Sequence, residues 1–259
     1  MRKLAILLVA AVCTNVYAAI TGTVFDTDGK PIAGAAIRGY AAENSSAMRA
    51  RILAGKIDRE QLAIAQTAEN GTFSLDVKNT VAVDVLVDAP SHAHNMIPAV
   101  DGDDLGAIVL GPPLSRTLHV TSGGKAVANA IVVSGIDVSR TNAAGEVPAP
   151  FSTSAYVVHP DYAISRHSGI NGMEVKLVPG VVVRGRVVNA AGPVAHAIVS
   201  IGGWPLAESG DDGTFTIAHA PDKWQSISAV RGSDAGSVAR PKTGAPEIRI
   251  APAATFAGT

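Results

Sequence analysis

One short pattern is written three times along this chain, and such repetition constrains the fold more than any single residue does. Gly29-Lys30-Pro31-Ile32-Ala33-Gly34-Ala35-Ala36-Ile37 aligns without a gap on Gly124-Lys125-Ala126-Val127-Ala128-Asn129-Ala130-Ile131-Val132. With one residue deleted, Gly192-Pro193-Val194-Ala195-His196-Ala197-Ile198-Val199 continues the series. Each copy then carries a second glycine turn, at Glu69-Asn70-Gly71-Thr72-Phe73, Ala143-Ala144-Gly145-Glu146-Val147 and Asp211-Asp212-Gly213-Thr214-Phe215. From first to second glycine the separation is 21 residues in copies two and three and 42 in copy one. Copy one therefore holds an insertion.

Each copy ends in an alternating strand and a proline: Ala107 to Pro112, Glu174 to Pro179 and Glu247 to Pro252. Proline removes a ladder donor and fixes φ, so it ends a strand and stiffens the joint that follows. The expected boundaries are 19–112, 113–179 and 180–252, with 253–259 as a tail or the start of a further strand. Within a copy, Ile20 to Phe25, Thr72 to Val77 and Val81 to Val87 alternate with a period of two, the mark of strands with one buried face. Asn70-Gly71 has the form of a two-residue hairpin turn. With 26 Gly, 15 Pro and only 4% aromatic residues, the chain suits many short strands, and at 47% hydrophobic and 17% charged it has enough apolar surface to fold. About seven short strands per copy predict an all-β chain of small antiparallel sandwiches.

The insertion lies near residues 44–64. Ser45 to Ala54 and Asp58 to Ile64 both have helical composition. Ser46 is a candidate cap for the first helix, and Asp58 with Gln61 three residues later has the form of a capping box for the second. Gly55-Lys56 marks the break between them. Met48, Ile52, Leu53, Leu62 and Ile64 are expected to cover a sheet edge or end, the alternative being an element that docks a partner.

The repeated spelling resembles the carboxypeptidase regulatory-like domain, a transthyretin-like β-sandwich. The resemblance in copy one rests on Gly22-Thr23-Val24, Asp28 to Ala35, Thr67 and Asn70-Gly71-Thr72-Phe73. Copy three matches through Gly185-Arg186-Val187-Val188, Gly192 to Ala195 and Gly213-Thr214-Phe215, whereas copy two departs, with Thr117-Leu118-His119 at the opening and Val147 in place of the phenylalanine. The resemblance implies three tandem Ig-like or transthyretin-like modules, the first with a short helical insertion. Such modules accompany peptidases, outer-membrane receptors and surface proteins and have no catalytic residues of their own.

Arg2 and Lys3 precede an apolar run from Leu4 to Cys13, then Val16-Tyr17-Ala18. This is the form of a secretory signal peptide, residues 1–18, with cleavage after Ala18. The run is half of the ~20 residues a membrane-spanning helix needs, and Val12 stands where a lipoprotein signal has a small residue. Cleavage removes the single cysteine, so a mature chain would have neither disulfides nor a thiol. A bacterial periplasm, cell envelope or secreted location fits. A formal charge of −1 argues against nucleic acid or an anionic membrane as partner.

No H-x-x-E or H-E-x-x-H metal motif occurs, so the resemblance carries no peptidase activity. His92 and His94, with Asp101 as a third group, are the one candidate metal set, against a bland reading as solvated loop histidines. Ser122-Gly123-Gly124-Lys125 and Lys242-Thr243-Gly244 spell penicillin-enzyme fragments, but the first falls in a predicted turn rather than at a helix N-terminus. Acidic turns at Asp26 and Asp28, at Asp101, Asp103 and Asp104, and at Asp211 and Asp212 offer oxygens to calcium without completing a loop. The expectation is no catalytic residue, no metal and no cofactor. A sugar surface needs an exposed aromatic, and Trp204, between Gly203 and Pro205, is the weak ligand-binding candidate. The leading reading is a non-enzymatic exported spacer and protein-interaction surface. The alternatives are a carbohydrate-binding protein and the N-terminal regulatory part of a longer peptidase or receptor.

Overall fold

The computed structural model describes residues 19–77, 82–100, 104–113, 117–135, 137–148, 154–168 and 174–253. The expected signal peptide, Asp101, Asp103 and most of the C-terminal tail lie outside them. Alternating sequence becomes strand almost throughout. The first stretch gives Ala19–Asp26 (β1), Ala36–Ala41 (β2), the helix Ser45–Leu53 (α1), Gln61–Gln66 (β3), Thr72–Asp76 (β4), Val83–Asp88 (β5), Asn95–Val100 (β6) and Asp104–Leu110 (β7). Next come Thr117–Ser122 (β8), Lys125–Ala126 (β9), Ile131–Ser134 (β10), Asp137–Arg140 (β11), Glu146–Pro148 (β12), Ser154–Val158 (β13), Ser165–Ser168 (β14) and Glu174–Lys176 (β15). The last are Val181–Asn189 (β16), Gly192–Pro193 (β17), Ile198–Ile201 (β18), Trp204–Glu208 (β19), Thr214–Ala220 (β20), Ser226–Arg231 (β21), Asp234–Ala239 (β22), Glu247–Arg249 (β23) and Ala251–Pro252 (β24).

The described residues are all-β apart from α1 and form two compact units. Residues up to Ala42 with Glu60–Gly111 make one, and Glu43–Arg59 with Pro112 onwards make the other. In the first unit a sheet of order β4-β1-β7 and one of order β3-β2-β5-β6 enclose Ile20, Val24, Ile37, Phe73, Leu75, Val85 and Val87. In the second, β12-β8-β15 and β11-β10-β13-β14 enclose Leu118, Val120, Val132, Val157 and Leu177. There too β17-β16-β20, with β23 beside β16, and β19-β18-β21-β22-β24 enclose Val187, Val199, Phe215, Ile227 and Ile248.

In each copy one of the two sheets is mixed and the other purely antiparallel. The opening strand of each copy runs parallel to its closing strand: β1 with β7, β8 with β15, and β16 with β23. Alternation sets which face a strand buries and says nothing about the direction of its neighbour, so the sequence carries no sign of this pairing.

The repeated motifs acquire a shared physical reason. In each copy a buried hydroxyl ties the first motif to the strand opposite. Thr67 Oγ1 accepts from Ala35 N at 2.9 Å and donates to Ile32 O at 2.6 Å. Thr141 does the same with Ala130 and Val127 at 2.9 and 2.8 Å, and Ser209 with Ala197 and Val194 at 2.9 and 2.7 Å. The residue just before each alanine has positive φ: Gly34 at 72°, Asn129 at 62° and His196 at 55°. Replacing Thr141 by Val keeps the shape but leaves a buried N–H and a buried C=O unpaired. We expect it to destabilise the protein by about 2 to 4 kcal/mol in urea unfolding, with Thr141→Ser near neutral.

The second turn differs from the expected two-residue hairpin. Gly71 N donates to Ala68 O and Ala68 N to Thr72 O, so the loop has three residues and only Gly71, at φ 79°, takes the left-handed region. It joins β3 to β4, which lie in different sheets. Gly145 and Gly213 repeat the conformation at 74° and 76°. A Cβ on any of the three would fall 2.5 to 2.6 Å from the carbonyl oxygen of Val24, Val120 or Val187.

The departure of copy two is a single exchange. Gly22 lies opposite Phe73 and Gly185 opposite Phe215, and each ring lies over its glycine, where a Cβ would come within 2.9 Å and 2.6 Å of it. In copy two the same pair is Leu118 and Val147. A large side chain on the first strand replaces the ring from the second, and both departures follow from that.

Candidate functional site

The insertion forms one helix, not two. Asn44 rather than Ser46 caps it, its Oδ1 accepting from Ser46 N at 3.0 Å and Ala47 N at 2.9 Å. Gly55, at φ 73°, ends it where expected, with Gly55 N on Ile52 O and Lys56 N on Arg51 O, the arrangement of a Schellman cap. Arg51 fixes the exit, its guanidinium paired with Glu43 at 2.8 Å and bonded to the carbonyls of Lys56 and Ile57. The expected second helix is strand β3. Ala63 and Ala65 face the core of the first unit, Tyr40 pairs with Gln61 and Ile37 with Ala65, and this ladder overrides the helical propensity of Gln-Leu-Ala-Ile-Ala-Gln.

Although inserted in copy one, α1 packs within the second unit. Ile52 is buried with Ile131, Val133, Val158 and Trp204, and Met48, Leu53, Ile57, Tyr156 and Leu206 pack around them. On β10 and β13 the pairs Ile131 with Val158 and Val133 with Tyr156 share one face, while Val132 with Val157 points to the sandwich interior. This sheet is therefore covered on both faces, and all four residues of β10 are buried. The helix and Trp204 supply the second cover.

Trp204, the sequence candidate for a sugar platform, is 2% exposed. Its ring meets Tyr156 at 5.4 Å between centroids, and the Arg49 guanidinium lies 5.5 Å from it while donating to Gly203 O at 3.0 Å. The correction is physical: a flat face that would stack on sugar is occupied by protein. Its Nε1 is buried with no hydrogen-bond partner among the described residues. Trp224 is also buried, beneath Arg240.

Beside this seam a half-open cavity of about 740 Å³ is lined by the C-terminal end of α1, the His159-Pro160-Asp161-Tyr162 turn, Arg140, and residues of β19 and β20. Asp161 N donates to His159 Nδ1 at 3.2 Å, and the His159 ring packs on Tyr162 at 5.2 Å. Arg140 donates to Gly55 O at 2.8 Å and Asn129 O at 3.4 Å.

A second feature lies in the first unit. β3 is an edge strand, paired only with β2 among the described residues, and it turns Leu62 and Ile64 outward, the latter 60% exposed. Register sets Ile64, Arg38, Leu86 and Met96 side by side across all four strands. Arg38 pairs with Asp88 at 3.4 Å.

His92 and His94 lie in a turn and the segment after it, not on a strand, with His92 Nδ1 at 2.8 Å from Pro90 O. Asp26 and Asp212 spend an oxygen on their own turns, Asp26 accepting from Asp28 N and Lys30 N and Asp212 from Thr214 N and Oγ1. No group of three or more His, Cys, Asp or Glu among the described residues is placed to hold a metal ion. Ser122 and Lys125 face each other across a hairpin. Sequence reading missed one contact of a catalytic kind, Ser165 Oγ to His167 Nε2 at 2.6 Å. Burial pushes His167 below its ordinary value, and no carboxylate pairs with its ring among the described residues, so the dyad lacks the third group that orients a base. Among the described residues no helix is long and apolar enough to cross a membrane.

No family model matches the chain, and no curated protein is significantly similar to it. Among solved structures it is similar to the shaft pilin SpaA from Lactobacillus rhamnosus GG, at 13% identity and TM-score 0.25 over 93% of this chain and 100% of that one. It is also similar to a 9R-lipoxygenase from Cyanothece PCC8801, at 13% identity and TM-score 0.26 over 42% of this chain and 18% of that one. For the TIE protein of Bacillus anthracis the values are 10%, 0.24, 90% and 50%. The chain thus spans half or less of the last two. Superpositions this loose fix neither a family nor an activity.

Proposed function

We propose that this chain is a non-enzymatic, exported structural protein of carboxypeptidase regulatory-like modules, acting as spacer and protein-interaction surface in a bacterial cell envelope. The observation that carries the reading is the kind of residue the copies share. The hydroxyls of Thr67, Thr141 and Ser209 and the turn glycines Gly71, Gly145 and Gly213 all hold strands together, and none has the setting of a reactive group. Export is supported by the basic and apolar opening of the sequence.

The partner joins at β3. An edge with no second neighbour among the described residues and two outward aliphatic residues accepts an added strand, its backbone supplying hydrogen bonds and Leu62 and Ile64 the side-chain contacts. A photo-crosslinking residue at Ile64, in the cell that makes the protein, is expected to give one adduct of fixed size that Leu62→Lys abolishes. The same label at Lys223, on an exposed turn of the second unit, is expected to give none. Equal labelling from both positions, or no adduct from Ile64, contradicts the reading.

A further inference from the structure

The cavity beside α1 has the makings of a ligand site that the structural role leaves unused. Its volume, about 740 Å³, falls in the range of small-molecule pockets, roughly 300 to 1,000 Å³. Its walls are mainly apolar, with Ile131, Val158, Ile164 and Leu206 among them. Two polar groups stand out. Arg140 is bonded to two backbone carbonyls and makes no ion pair among the described residues. His159, whose side chain is 14% exposed, uses Nδ1 to accept a backbone N–H, which leaves Nε2 as a donor. The remaining charged group, Asp161, is 80% exposed at its side chain and offsets the guanidinium only weakly across water.

We propose that this cavity binds a small amphipathic carboxylate, with its anionic head on Arg140 and its hydrocarbon body against Ile164 and Leu206. A guanidinium matches a carboxylate in shape as well as charge, and one already fixed by Gly55 and Asn129 loses little freedom on binding. The apolar walls take the part of the ligand that water rejects. The proposal is independent of the edge strand in the first unit, and either can fail alone.

The test is calorimetric titration of the full chain with dodecanoate below its micellar concentration, beside dodecanol as the neutral counterpart. Saturable binding of one dodecanoate is expected, with dodecanol at least tenfold weaker. Arg140→Gln should cost dodecanoate tenfold or more while leaving dodecanol unchanged, and Arg140→Lys should cost only a few-fold. Leu206→Trp, which narrows the apolar part of the cavity where the hydrocarbon body lies, should weaken both. Circular dichroism and the unfolding midpoint of each variant separate lost binding from lost fold. The proposal is overturned if the folded chain binds no dodecanoate, or if correctly folded Arg140→Gln and Leu206→Trp bind it as the unaltered protein does.

Discussion

Ile52→Asp is expected to strip α1 from the sheet it covers and to lower the stability of the second unit by roughly 4 to 5 kcal/mol. Two effects add. The apolar transfer energy of a side chain 1% exposed is lost, and a carboxylate is forced into an apolar layer of Ile131, Val133, Val158 and Trp204. Ile52→Leu keeps the volume and should cost less than about 1.5 kcal/mol. The readout is direct, because both tryptophans of the chain lie in the second unit. In a Trp224→Phe background the remaining emission belongs to Trp204, and Ile52→Asp should shift it to the red before global unfolding. Unchanged emission with unchanged stability would mean that the helix does not shield the indole.

Gly185→Ala should be nearly as severe, at about 3 kcal/mol or more. The added Cβ would lie 2.6 Å from Phe215 Cζ and collide with the carbonyl oxygen of Pro246. Phe215→Val in the same chain removes the first clash and leaves the second, so the double variant should regain about 1 to 2 kcal/mol relative to the sum of the singles. A coupling of zero in urea unfolding would show that the ring does not lie over the glycine. Leu118 opposite Val147 is the same exchange already present in copy two, where both partners are changed together.

These two sites mark what was legible in the sequence and what was not. Turn glycines, alternating strands and the break at Gly55 depend on residues close together, and local chemistry carries them. The end of the insertion misled because Gln61 to Gln66 holds two alanines, two glutamines and a leucine, good helix formers, while its strand form depends on β2, some 25 residues earlier. Trp204 misled for the same reason over a longer distance. Its flanking Gly203 and Pro205 suggest an exposed turn, but the cover comes from Arg49 and Ile52, and Arg49 lies 154 positions away from its bond to Gly203. The parallel pairing of β1 with β7 left no local mark either. By contrast, the continuous apolar run at Ile131 to Val133 did carry a sign of burial on two faces. What it could not supply was the identity of the second cover.

Hydrogen exchange of the amides of Ala47 to Leu53 tests that cover directly. A helix of nine residues is marginal in water by itself, so slow exchange here can come only from docking. Exchange as slow as that of β10, accelerated together with it by Ile52→Asp, is the outcome predicted for a helix that forms the outer layer of the sheet. Complete labelling of these amides within seconds, while β10 remains protected, would contradict it.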